Sequence, residues 1–452
     1  MYMKDKGFYK SFFAMYIVLV LQNVITLSVN LADNIMLGAY SETALSGVAA
    51  VNQIQFIFQQ LMHAVGDGMV IICSQYWGKK QTEPMKKLAS GAMRLALSFA
   101  VILFVLVSLF PYEAVGLFTT DAGIIEQGAE YLKTIRFTYF FFAVTMILLA
   151  TMRSVEVVNI AFYLSISTLI INCGINYVLI YGNFGFPRLG VTGAAIGTLT
   201  ARIVEFVVVL IYVFVKDQRL KLKVKDYLCW DKLLMKDYFK VTTPILFIQG
   251  LWGANTAMQT VILGHMTAAA IAANSAASTL FLVVKSAAVG AASTTSVIIG
   301  KAIGMGDMNI VKKYSKRLQK MFVVIGIISG IILFFARIPI LSLYELSPET
   351  REMANTFLMI LSIVIMFMSY QMPTNNGIIR GGGSASFVMK MDLISIWGIV
   401  IPVSLIMAFV VKASPIVVIC CLNADQVFKC VPAFIKANFG HWAKKLTREI
   451  EE

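Results

Sequence analysis

Residues 29–38 read Val29-Asn30-Leu31-Ala32-Asp33-Asn34-Ile35-Met36-Leu37-Gly38. They close an apolar run that begins at Phe8, and they put an acid inside it. A run from Phe8 to Leu31 is long enough to cross a bilayer as a helix, which takes about 20 residues. Ten further apolar runs follow: Leu88–Phe110, Phe137–Met152, Val157–Tyr181, Ile203–Val215, Val241–Met266, Ala270–Ile299, Met321–Phe335, Ala354–Tyr370, Leu393–Val411 and Ile416–Pro432. A less apolar stretch, Ala44–Trp77, carries Asn52, Gln53, Gln55, Gln59, Gln60, His63 and Asp67 and is expected to turn that face away from lipid. The reading is twelve transmembrane helices in an all-α integral membrane protein. The whole chain agrees: 58% of residues are hydrophobic, only 14% are charged, and mean hydropathy is +0.78. A soluble chain of 452 residues would need more charge to cover its surface. The runs lack the alternation of a membrane β-barrel.

The same stretch opens an internal repeat. Met36-Leu37-Gly38 is matched by Ile262-Leu263-Gly264, Gln75-Tyr76-Trp77-Gly78-Lys79 by Val297-Ile298-Ile299-Gly300-Lys301, Lys86-Lys87 by Lys312-Lys313, and Met152-Arg153 by Ile379-Arg380. The offset stays near 226 residues. Six helices per copy is an even number, so both copies have one orientation. Two six-helix bundles related by a pseudo-two-fold axis along the membrane normal are expected. The expected lobes are residues 1–215 and 241–452, the second with a cytoplasmic tail. Joining them is the basic segment 216–240 with the start of the seventh helix. Bundles of like orientation would enclose a central cleft, which suggests transport.

The net charge of +14 could suggest nucleic acid, but the cations sit in short loops between runs. Lys79, Lys80, Lys86 and Lys87 lie on one side with the cations of 216–236, of 301–320 and of the tail; the other side holds chiefly Lys133, Arg188, Arg337, Arg351 and Lys412. Positive residues mark the cytoplasmic side. The expectation is a multi-pass protein of the cell (inner) membrane with both termini cytoplasmic and no nucleic-acid partner. The first run is too long for a cleavable signal and is expected to stay as an anchor. The six cysteines show no metal-ligand or disulfide spacing and read as small apolar residues. No P-loop, His-Glu-x-x-His or nucleophile elbow is present, so neither ATP hydrolysis nor an enzyme activity is expected, and no cofactor.

Acids inside apolar helices usually have a purpose, because burying the charge is costly. Asp33 lies about 25 residues, or roughly 37 Å, along its helix. Asn172 and Asn176 are four apart and share a helix face. Thr198 follows the small-residue stretch Gly190–Gly197, which permits close helix approach. These four could form one polar cluster, either as cation ligands or as hydrogen-bonding glue. Arg202 and Glu205, three apart, read as a structural ion pair. Asp67 between Gly66 and Gly68 suggests a local helix break. Gln22, Asn52, Gln249, Gln259, Lys285 and Asp392 are further candidates for a substrate cleft or charge network. Asp425 and Lys429, four apart, read as a helix-stabilising pair, and Gly381-Gly382-Gly383 as a flexible turn.

Asp33-Asn34-Ile35-Met36-Leu37-Gly38, Gln75-Tyr76-Trp77-Gly78, Asn172 with Asn176-Tyr177-Val178-Leu179-Ile180-Tyr181-Gly182, Gly193-Ala194-Ala195-Ile196-Gly197-Thr198 and Gly377-Ile378-Ile379-Arg380-Gly381-Gly382-Gly383 together resemble the MATE (multidrug and toxic compound extrusion) transporters. The resemblance covers nearly the whole chain. It implies antiport: drugs or other organic molecules, amphipathic or cationic, leave in exchange for H⁺ or Na⁺. A monomer is expected, with lipid around it. The family's first-helix aspartate falls on Asp33, which for Na⁺ would be the metal ligand, and its polar cluster on Asn172, Asn176 and Thr198. Some members have Asp where this chain has Asn176. The proline that bends the first helix in some members has no counterpart, since the first proline is Pro84. Acids that some members carry on the seventh and tenth helices are replaced by Gln249, Asn255, Gln259 and Gln371. The alternative is a flippase for a lipid-linked precursor of the same superfamily, which would want a more cationic cleft than Lys285 and Arg202 provide. At the repeat offset Asp33 aligns with Gln259, Asn172 with Gly398, Asn176 with Pro402 and Thr198 with Ala424, so an ion site is expected in the first half alone.

Overall fold

The computed structural model describes residues 5–342 and 347–448, and the outermost residues of both expected lobes lie outside this range. In chain order the helices are α1 Asp5–Tyr40, α2 Glu42–Gly78, α3 Glu83–Leu109, the short α4 Pro111–Gly116, α5 Ala122–Ile135, α6 Thr138–Ser154 and α7 Asn159–Tyr181. Then come α8 Gly190–Lys216, α9 Lys232–Gly264, α10 Ala268–Gly304, α11 Met308–Leu341, α12 Pro348–Ile379, α13 Ala385–Val410 and α14 Pro415–Phe439. Among the described residues there is no strand. Among the described residues ten helices are long and apolar enough to cross a membrane; α5 and α6, bent by 54° at their junction, make an eleventh span if taken together. The remaining long helix, α9, runs 33 residues but carries Gln249, Asn255, Thr256 and Gln259, which lower its apolar character.

α5 was not legible as a helix in the sequence. Its Gly128, Ala129, Tyr131, Leu132 and Ile135 are buried while Glu126 and Lys133 stay exposed, so it is amphipathic rather than apolar throughout. Asp121 caps it, accepting from Ile124 N–H at 3.0 Å. Asp307 caps α11 in the same way, Thr267 caps α10 and Ser347 caps α12. Each cap satisfies a donor that the first turn would otherwise leave open. π-helical turns interrupt α12 over Pro373–Ile379 and α13 over Leu393–Val400 and Ile406–Val410.

The chain forms two compact units. One comprises residues 21–73 and 81–242, the other residues 1–20, 74–80 and 243–452. In the first, Gly68 of α2 lies against Thr242, and a Cβ there would meet its hydroxyl at 2.1 Å. The helix runs unbroken through Gly66-Asp67-Gly68, so the expected break is absent. Those glycines serve close packing. The basic linker after α8 is docked on α3: Ser90 Oγ donates to the Tyr227 carbonyl at 2.8 Å, Arg94 donates to Tyr227 and Leu228 carbonyls, and its guanidinium lies 5.1 Å from the Trp230 ring.

In the second unit a core of Ile262, Leu333, Phe357, Leu358 and Ile365 joins α9, α11 and α12. The end of α2 lies tight on the end of α10, where a Cβ on Gly304 would stand 1.9 Å from the Gln75 carbonyl. Residues 440–448 leave α14 without regular structure and are tied down by main-chain bonds. Gln75 Nε2 donates to the Lys444 carbonyl at 3.0 Å, Leu446 N–H donates to Gln75 Oε1 at 2.8 Å, Arg448 N–H donates to the Tyr76 hydroxyl, and Lys444 N–H donates to the Gly382 carbonyl. The triglycine turn is therefore packed, not flexible: a Cβ on Gly382 would meet the Trp442 ring at 2.5 Å.

Asp231 caps α9 by accepting from Leu233 and Leu234 N–H at 3.1 and 3.2 Å, and Lys87 lies 3.4 Å away. The Leu234 N–H first, and then Lys87, hold its carboxyl below the usual range. A lowered carboxyl lends stability above its ordinary titration range and loses it as pH falls through the folded value. Asp231→Ala is expected to cost about 1 kcal/mol. Thermal melting in detergent should show that deficit at pH 7 and its disappearance in strong acid.

Candidate functional site

Four of the residues singled out in the sequence meet inside the first unit. Asn176 Nδ2 donates to Asp33 Oδ1 at 2.6 Å and contacts Asn172 Oδ1 at 3.3 Å; Asn172 Nδ2 donates to Thr198 Oγ1 at 3.1 Å. Asn172 and Asn176 are fully buried, and Asp33 and Thr198 half-buried. The i, i+4 spacing stacks the two amides on one face of α7, and α8 supplies the threonine.

The network depends on how closely α7 and α8 approach. A Cβ on Gly193 would meet the Leu179 carbonyl at 2.7 Å, and one on Gly197 would stand 2.1 Å from Asn176 Oδ1. Gly197 thus makes the room that Asn176 occupies, and Asn176 Oδ1 is buried there with no hydrogen-bond partner. Tyr131 of α5, also buried, stands beside Thr198 and Gln55. Neither Gly197 nor Tyr131 was picked out as a site residue. The Gly193–Gly197 spacing was the available signal for the first; α5 went unrecognised, and Tyr131 with it.

Asp33 makes no ion pair among the described residues. Arg202 is near enough to act on it electrostatically, yet its hydrogen bond goes to Glu205 at 2.6 Å, and it lies over the Phe142 ring at 5.0 Å. The expected Arg202–Glu205 pair is therefore present. A carboxylate bonded only to a neutral amide inside a membrane helix can take up a proton or a small cation. For a cation the oxygens within this cluster are those of Asp33, Asn172, Asn176 and Thr198. No three His, Cys, Asp or Glu side chains gather among the described residues, so a Na⁺ ion would lean on one carboxylate and neutral oxygens.

The other candidates fall elsewhere. Asp67 pairs with Arg153 at 2.7 Å. Gln22 and Asn52 are half-buried on α1 and α2, and Gln249 and Gln259 on α9, outside the network of bonds around Asp33. Lys285 sits at mid-length on α10, with its ammonium 4.7 Å from the Trp252 ring centre. Asp392, a candidate for a substrate cleft or charge network, holds Lys429 at 2.7 Å, and Asp425 holds the same ammonium at 2.9 Å. The Asp425–Lys429 pair thus widens into a triad, with Asp425 and Lys429 buried and Asp392 half-buried, that continues through Gln426, Gln371 and Asn375 by bonds of 2.7, 2.7 and 2.9 Å. Sequence spacing could not show this, because Asp392 and Lys429 lie on different helices. Of the cysteines, Cys73 is buried while Cys229 and Cys420 are exposed, and all six are free thiols.

The MatE family model matches residues 19–178 and 244–406 of the chain. A relative from Thermotoga maritima described as probable multidrug resistance protein NorM is 26% identical over 431 residues, covering 95% of this chain and 92% of the relative. Probable multidrug resistance protein YoeA of Bacillus subtilis is 25% identical, with coverage of 82% and 80%. Among solved structures, the Vibrio cholerae MATE transporter VcmN in its bent form superposes with a TM-score of 0.85 at 15% identity, covering 96% of this chain and 97% of that one. The eukaryotic MATE transporter AtDTX14 gives 0.82 at 17% identity, with 97% coverage of both. These likenesses establish the twelve-helix fold.

Two variants test the packing. Gly197→Ala should push Asn176 off Asp33 and cost about 1–3 kcal/mol by overpacking; a melting curve in detergent that overlays the unaltered protein would rule this out. Lys429→Met leaves the buried Asp425 and the half-buried Asp392 without their shared cation and should cost about 3–5 kcal/mol. Adding Asp392→Asn and Asp425→Asn should restore most of the loss in the same measurement.

Proposed function

The chain belongs to the MatE family of membrane transporters, and from that premise we propose that it is a cation-coupled antiporter exporting drugs or other small organic molecules by alternating access. The observation that carries the coupling is the Asp33–Asn176 bond: a membrane carboxylate held at 2.6 Å by a neutral amide, with no ion-pair partner among the described residues. Uptake of a cation removes its charge, and that change can bias a two-state equilibrium. The names of the relatives support drugs as cargo.

Of the two ions, the proton suits the arrangement better. Protonated Asp33 needs no rearrangement of the amides. Sodium needs amide oxygens, and Asn176 points its nitrogen at Asp33 while its oxygen faces Gly197. The amide would have to turn over to ligate the ion. In the proposed cycle Asp33 is charged while substrate is taken up from the cytoplasm and neutralised by H⁺ from outside. One elementary charge crossing 100 mV supplies about 2.3 kcal/mol. Asn172 and Thr198 act through Asn176: their bonds keep its Nδ2 aimed at the carboxylate. The basic loops support placement in the cell membrane with cytoplasmic termini.

The test is efflux from proteoliposomes with imposed pH or Na⁺ gradients and a panel of organic cations. A pH gradient alone should drive efflux, and Asp33→Asn should reduce it to the passive leak while the protein melts normally in detergent. Wild-type efflux by the Asp33→Asn variant would remove Asp33 from the coupling step; efflux driven by Na⁺ alone would replace the proton.

A further inference from the structure

A cavity of about 590 Å³ opens between α11, α12 and α14 within the second unit, near the basic end of α11. Its volume falls within the roughly 300–1,000 Å³ usual for small-ligand sites. The lining is graded along the helix axis. At one end stand Lys316 and Lys320, one turn apart on the same face of α11, both exposed and neither ion-paired among the described residues. Beyond them the walls are apolar: Val323 and Ile327 of α11, Met366 and Phe367 of α12, and Phe434 of α14. At the same depth as the lysines lies a polar floor. Tyr370 donates to Gln319 Oε1 at 2.9 Å, and Asn438 Nδ2 donates to the same oxygen at 2.9 Å.

A groove with two unpaired ammonium groups just before the apolar run of α11 begins at Met321, and an apolar-lined channel running on from them, has the polarity of one molecule: an anionic phospholipid. The lysines match a phosphate, the Val323–Ile327 stripe and Phe434 match an acyl chain, and Tyr370, Gln319 and Asn438 match the ester and glycerol region between. Basic pockets between transmembrane helices on the cytoplasmic side are suited to such headgroups. Charge complementarity decides against a neutral lipid, since neither ammonium group is ion-paired among the described residues. The length of the apolar wall decides against a free phosphate, which would leave Val323, Ile327, Met366 and Phe367 facing an empty groove.

We propose that the groove between α11, α12 and α14 is a binding site for an anionic phospholipid of the cytoplasmic leaflet, with its phosphate on Lys316 and Lys320 and one acyl chain along Val323, Ile327, Met366, Phe367 and Phe434. The site is separate from Asp33 and does not depend on the antiport reading.

Native mass spectrometry of the full-length protein in detergent tests it, with phosphatidylglycerol, phosphatidylcholine or glycerol 3-phosphate added. The protein should retain phosphatidylglycerol in preference to phosphatidylcholine and should not retain glycerol 3-phosphate. Each surface cation near an anionic headgroup is worth about 1 kcal/mol, so Lys316→Gln with Lys320→Gln should lower phosphatidylglycerol retention roughly ten- to thirtyfold. The same charge change in the linker, Lys221→Gln with Lys225→Gln, should leave retention unchanged. Ile327→Trp, which fills the apolar wall without altering charge, should lower retention as well. Both pairs replace exposed side chains, and melting curves check that every variant is folded. Equal retention of the two lipids, full phosphatidylglycerol retention by the Lys316/Lys320 variant, an equal loss in the linker variant, or no effect of Ile327→Trp would each overturn the proposal.

Discussion

A carboxylate inside the hydrocarbon layer has no water to lean on, so its hydrogen bonds must come from neighbouring helices. In this protein the donor to Asp33 is the amide of Asn176, at 2.6 Å. Much of the first unit can be read from that requirement. Asn176 lies against Gly197 of α8 with its oxygen and reaches Asp33 of α1 with its nitrogen. Helices α7 and α8 lie close because Gly193 and Gly197 offer no Cβ at the contact. Asn172 and Thr198 then hold the amide from the other side. The polar bond sets where the helices meet, and the glycines set how near they come.

The two halves of the repeat meet the same requirement differently. In the second unit Asp392 and Asp425 share Lys429, whose ammonium lies 2.7 and 2.9 Å from them. That positive charge is covalently attached and always present. Asp33 has only neutral donors in its bonds, and under the proposed cycle its positive charge arrives from outside and leaves again. A shared helical frame thus carries a fixed neutralisation in one half and, as proposed, an exchangeable one in the other. The positions that the repeat offset aligns with the first-half cluster, Gln259, Gly398, Pro402 and Ala424, contain no acid.

Local spacing carried the reading of the sequence, and long-range pairing limited it. The i, i+4 pair Asn172 and Asn176, the small residues before Thr198 and the acid at Asp33 were each visible in short windows, and the structure joins them. The Arg202–Glu205 pair was visible for the same reason. The Asp392–Lys429 contact was not visible, because the two residues lie on different helices. α5 was missed because membrane spans announce themselves by unbroken apolarity, and this helix is apolar on one face only. Gly66, Gly68 and the triglycine turn were read as loosening elements. In a crowded membrane bundle a glycine more often marks where another backbone or ring comes close, and here Thr242 and Trp442 do so.

The strap of residues 440–448 is held largely through its main chain. The Gln75 amide pairs with the Lys444 carbonyl and the Leu446 N–H together, much as a residue in a neighbouring strand would. Tyr76 receives the Arg448 N–H, and Gly382 receives that of Lys444. A peptide carbonyl is common to every residue, and a peptide N–H to every residue but proline. The bonds to α2 use the main chain of residues 444, 446 and 448 but the side chains of Gln75 and Tyr76, so replacing Gln75 or Tyr76 removes them. The information that fixes the strap is written some 370 residues away from it, in a helix end that a scan of the strap alone would never inspect.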